Sequence, residues 1–184
     1  MSRPADRLRP LTMDDQIIDP SHDDRLPVHG GRVPPDHPAR LTSLAGSGYG
    51  DVFTLDCPGA DRWTSDAWAR AIFGDVPDLL ARFIWQGLLH LHLNRRASPD
   101  LVAGWPVIER SDHLTRLETR SWFLTGQLVV TTDDRSASLG TFVRYDRRGA
   151  GAVWLPLSAV HRSLMPGLLR DAHQKLSRRT EAAT

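Results

Sequence analysis

Residues 113–145 read HLTRLETRSWFLTGQLVVTTDDRSASLGTFVRY, and this stretch decides the fold class. The helical period is lost across this run, and its apolar residues fall in short extended stretches separated by turn residues. Extended runs are predicted at 113–119, 121–132 and 138–146, and Asp133-Asp134-Arg135 makes a turn between the last two. Upstream, Val102 to Glu109 is a further extended run, closed by Ser111-Asp112. Downstream, Arg147-Arg148-Gly149 turns the chain into Ala152 to Leu157, which reads as one more strand. Turns this short imply hairpins, and so an antiparallel meander.

The flanks of the meander have other periods. Asp51 to Cys57 alternates, with Phe53, Leu55 and Cys57 on one face, as a half-buried strand does. Thr64 or Ser65 can cap a short helix that carries Trp68, Ala71 and Ile72 and ends at Gly74. Asp75 and Pro77 then open a second helix, expected to run to about Leu93, with Leu80, Ile84 and Leu88 four apart. After the meander, Val160, Leu164, Leu168, Ala172 and Leu176 also recur every four residues, so a long amphipathic helix closes the chain, with Pro166 kinking it or marking where its regular part begins. The expected fold is α+β: about six antiparallel strands, two short helices after the first strand, and a long C-terminal helix covering the sheet's apolar face.

The chain has 184 residues, 23 Lys and Arg against 22 Asp and Glu, and a formal net charge of +1. That balance gives no bulk attraction to nucleic acid or to an anionic membrane. The one cysteine, Cys57, excludes an internal disulfide and a cysteine-rich zinc site, and it suits the cytoplasm. No apolar run has the length of a membrane span. Residues 1–40 hold seven of the 13 prolines and are expected to be a disordered or loosely draped arm; 41–179 form the domain, and 180–184 a disordered tail.

Several short motifs carry a family resemblance: Gly104-Trp105, Leu117-Glu118 with Ser121-Trp122, Thr141-Val143-Arg144-Tyr145, and Val153-Trp154 with Val160-His161-Arg162. Over roughly residues 49–177 the chain resembles the helix-grip fold of the polyketide cyclase, START and Bet v 1-like superfamily, and within it uncharacterised actinobacterial proteins. The resemblance implies a curved sheet gripping the terminal helix, with a cavity between them for a small apolar or amphiphilic molecule. It leaves activity open, because one fold serves many functions.

Inside such a cavity a polar side chain needs a partner or a ligand. Glu118 shares a strand face with Arg116, Arg120 and Trp122, so it points inward if Trp122 does. It is then either an acid–base group or, on the outer face, a partner for neighbouring arginines. His161, early in the terminal helix, has a side chain suited to proton transfer or to packing. Arg144, on the same face as Phe142, could pair with Glu118 or clamp a carboxylate. Trp105, Trp122 and Trp154, all expected on strands, either line the ligand cavity or fill the core.

No metal site follows from His22, His29, His37, His90 or His92, and no cofactor motif is present: Gly46, Gly48 and Gly50 precede a strand instead of linking a strand to a helix. Three functions remain, in order: a small-molecule binder, a cyclase- or dehydratase-type enzyme using Glu118, Arg144 and His161, and an interaction protein without a cavity ligand. The sequence sets no oligomeric state.

Overall fold

The computed structural model describes residues 26–33, 42–44, 46, 48–74, 83–94 and 98–182. Seven strands form: β1 (Val28–Arg32), β2 (Tyr49–Asp56), β3 (Leu101–Val102), β4 (Trp105–Arg110), β5 (Leu114–Arg120), β6 (Leu124–Thr132) and β7 (Ser136–Tyr145). Every neighbouring pair is antiparallel, and the seven strands make one open sheet in the order β1-β2-β7-β6-β5-β4-β3. The protein is therefore α+β, with seven strands instead of about six. Two of them were not expected. β1 lies inside the stretch read as an arm, so the sheet starts well before Tyr49. β3 is a two-residue strand joined to β4 through Ala103 and Gly104, which have φ of 49° and 82°. Positive φ at both central residues is the signature of the tight hairpin turn whose twist matches the strands.

α1 (Ser65–Phe73) forms as its caps dictate: the Thr64 side chain accepts from the Ala67 amide, and Gly74 ends the helix at φ 77°. Of the second expected helix, 75–82 lies outside the described residues. The remainder is a π-helical turn at Phe83–Leu88 followed by irregular chain to Asn94.

The largest correction is at Ala152 to Leu157, which is helix and not strand. α2 (Ala150–Glu181) begins directly after β7, where Gly149 at φ 91° turns the chain. It contains both Pro156 and Pro166, so its regular part starts long before the second proline, and it carries Thr180 and Glu181 out of the expected tail. Six apolar residues in a row have no period of their own. Joined to the residues after Leu157, they belong to a longer pattern, in which Trp154, Ser158, Met165, Leu169, Ala172 and Leu176 form one buried seam of alternating threes, fours and their sum. The expected stripe sits one residue off this seam in the first half of α2: Val160 and Leu164 are 55% and 46% exposed. The two patterns merge only at Ala172 and Leu176.

Strand alternation gives the sheet two apolar faces of unequal size. Phe53, Leu55, Leu117, Leu128, Val130, Leu139 and Val143 belong to the main core with α1 and α2. Val129 and Phe142 on the opposite face pack with Leu44, Val33, Val52 and Leu114. Segment 42–44 covers that outer face: Gln127, fully buried, accepts from the Thr42 hydroxyl at 2.7 Å and the Ser43 amide at 3.1 Å.

Candidate functional site

Between the inner face of β6–β7 and the first half of α2 lies a cavity of about 400 Å³. Leu124, Leu128 and Val143 form its floor, Trp154, Leu157 and Met165 one wall, and Ile72, Trp85, Leu91 and Trp105 the other. Gly126 contributes only backbone, and the Trp105 ring packs 3.2 Å from where a side chain would begin. Among the described residues, the ionisable side chains lining the cavity are His161 and Asp171.

The expected site residues divide by face. Trp105 and Trp154 line the cavity, Trp154 from α2 and not from a strand. Trp122 does not: it stands in the β5–β6 turn at 64% exposure, with the Arg147 guanidinium 5.8 Å from its ring. Glu118 and Arg144 both point to the outer face, away from the cavity. Glu118 accepts from Gln127 Nε2 at 2.9 Å, and Arg144 donates to Asp146 at 2.7 Å and to Thr125 at 3.1 Å. Burial by itself would raise the Asp146 carboxyl, but the Thr125 and Arg144 hydrogen bonds outweigh it and hold it below the usual carboxylate range. Three residues proposed to act together are thus split by the sheet, and His161 alone of the three meets the cavity.

What His161 meets behind the cavity is Asp51. The carboxylate lies 3.4 Å from His161 Nε2 and is 0% exposed. Tyr49, two residues earlier and therefore on the same face of β2, donates its hydroxyl to Asp51 Oδ2 at 2.5 Å. Arg162 donates to that Tyr49 hydroxyl at 3.2 Å and to the Ser158 hydroxyl one helical turn back at 3.1 Å. The Trp154 ring packs against both Tyr49 and His161, with centroids 5.3 and 5.7 Å away. Asp51 Oδ1, His161 Nε2 and Thr141 Oγ1 are buried without a hydrogen-bond partner, and Thr141 sits opposite Asp51 in the β2–β7 register. Asp51 was not among the residues expected from sequence, although its signal was present: it has the parity of Phe53 and Leu55, a carboxylate on the buried face of a strand.

Burial, reinforced by the hydrogen bond to Asp51, pushes the Tyr49 phenol from 10 up to about 12, and burial pushes the Cys57 thiol from 9 up to about 11. Both groups fold in the neutral form. Their contribution is complete below the unfolded value and is lost as pH rises through the folded one. Thermal melts should therefore show stability falling between about pH 9 and 12, and Tyr49→Phe should flatten the part above pH 10. An unchanged profile in Tyr49→Phe would show that this phenol is not held neutral by the fold.

Among the described residues no three His, Cys, Asp or Glu side chains converge as a metal site requires, and no helix is long and apolar enough to cross a membrane. In comparison with known proteins, the chain matches no family model, no curated protein and no solved structure.

Proposed function

We propose that the protein binds one small apolar or amphiphilic molecule between its sheet and α2, as helix-grip proteins of the START and Bet v 1-like type do. The observation that carries this reading is the cavity itself. At about 400 Å³ it falls within the range of small-molecule sites, and its walls are almost wholly aliphatic and aromatic. A well-packed core leaves few voids larger than a water molecule, so a space of this size is a departure that a ligand would fill. The polar end at His161 would orient the polar group of an amphiphile.

The test is a titration with N-phenyl-1-naphthylamine, an uncharged apolar fluorophore of suitable size. Saturable enhancement at one molecule per chain is expected. Leu157→Trp and Leu168→Trp, which place bulk into the cavity from half-buried wall positions, should each weaken it about tenfold or more. Binding that does not saturate, or that both variants leave unchanged, would remove the reading.

A further inference from the structure

We propose that His161 is a general base facing the cavity, positioned by the buried Asp51, and that the site takes a proton from an acidic carbon of an uncharged ligand held there. The inference rests on the cavity reading and adds a chemistry to it. Its first support is the division of the imidazole. Nε2 is shut away from solvent against Asp51, while the side chain keeps 18% exposure and contributes to the cavity wall. A carboxylate on one edge of a neutral imidazole fixes the proton on the nitrogen it faces. Nδ1, on the other edge, is then left with the lone pair. At 3.4 Å the two groups are at ion-pair distance without a hydrogen bond, and they would have to draw together around a ligand, as catalytic pairs often do.

A second support is the effort spent on Asp51. A carboxylate without solvent contact is costly unless it is paired and hydrogen-bonded. Here the Tyr49 hydroxyl holds it, and Arg162 holds Tyr49. Had the role been packing alone, an apolar side chain would have served at an inward position of β2. The charged and titratable groups around His161 are Tyr49 and Asp51 from β2, Arg162 from its own helix, and Arg32 from β1, whose guanidinium lies 5.3 Å from the Tyr49 ring centroid. Asp171, the other ionisable lining residue, is ten positions along α2, about 15 Å by helical rise. Among the described residues His161 is thus the one basic side chain in the lining.

These surroundings select the ligand chemistry. Asp51 behind the base and Asp171 in the lining disfavour an anion, and no Lys or Arg lines the cavity among the described residues. An uncharged carbonyl compound with an enolisable C–H fits. The proton passes from carbon to Nδ1, the C–H electron pair forms the enolate double bond, and the carbonyl π pair moves onto oxygen. Return of the proton to another position completes an isomerisation that needs no oxidant or further reactant.

The test uses 5-nitrobenzisoxazole, a small carbon acid whose elimination needs only a base. The base takes the ring C–H proton, that electron pair completes a nitrile, and the N–O bond breaks to release a coloured phenolate. The 184-residue chain is expected to eliminate it saturably, with a pH profile showing one inflection. His161→Asn should lower the rate about 10²-fold, the lower end of what acid–base catalysis contributes. His161→Gly should recover rate when imidazole is added, which a structural role would not produce. Asp51→Asn should move the pH inflection, and the His161→Gly rescue stands even if that variant folds poorly. Probe that displaces N-phenyl-1-naphthylamine but reacts no faster than with His161→Asn would overturn the inference and leave the cavity reading intact. Probe that displaces nothing would overturn both.

Discussion

Leu169→Ala is expected to destabilise the protein by about 2–5 kcal/mol in urea unfolding, the range for emptying a fully buried leucine site. Leu164→Ala, five residues earlier on the same helix, should change stability by less than about 0.5 kcal/mol, as exposed positions do. Leu169 has no solvent contact and sits in the seam of α2 that faces the sheet, whereas Leu164 stands at the rim of the cavity. The contrast tests the orientation of the helix and not merely its presence. If the two losses were equal, or if Leu164→Ala were the costlier, α2 would be rotated and His161 would not meet Asp51. The size of the Leu169 effect will depend on how far Ala172, Met165 and the strands can close around the space, because an open cavity already borders this part of the core.

Gly30→Ala should detach the edge strand. Gly30 pairs with Phe53 at φ 144°, and a Cβ there would come 2.1 Å from the Val52 carbonyl oxygen and 2.7 Å from the Phe53 Cα. Backbone cannot give way as a side-chain tip can. The expected cost is about 1–3 kcal/mol for the strained residue and the pairing it disrupts, which lowers Tm by roughly 2–4 °C per kcal/mol in a chain of this size. Hydrogen exchange supplies the local readout. The Asp56 amide donates to the Pro27 carbonyl at 3.0 Å and should lose protection in the variant. Full stability, with the Asp56 amide exchanging freely in both the parent protein and the variant, would show that β1 is not part of the sheet.

These two expectations mark where the sequence was legible. β5, β6 and β7 announced themselves because the helical period fails across them and turns of the right composition punctuate the run. α1 was bounded by its own caps. β1 was hidden because VHGGR has no alternation: it is an edge strand, paired on one side and half exposed, so its apolar content is low and β2 supplies its order. Ala152 to Leu157 misled for the opposite reason. It is a short unbroken apolar run, which periodicity alone cannot assign to strand or helix, and only the seam running on to Leu176 shows that these residues wind around a helix.

The sequence by itself determined the α+β class, the antiparallel meander and the terminal helix, because period, caps and turn chemistry act within a few residues. Tertiary structure alone decided which face of each strand was inward. Glu118 and Arg144 have the same alternation whether they look at α2 or away from it, and the packing of their neighbours Leu117 and Val143 into the core with α2 turns both to the outer side. It decided also that Asp51 and His161, 110 positions apart, lie within 3.4 Å. No local rule reaches across that distance, since a charged residue on a buried strand face says that a partner must exist and not which one. The pair is set by the phase of α2 over β2, and that phase follows from how Trp154, Met165 and Leu169 pack against the sheet.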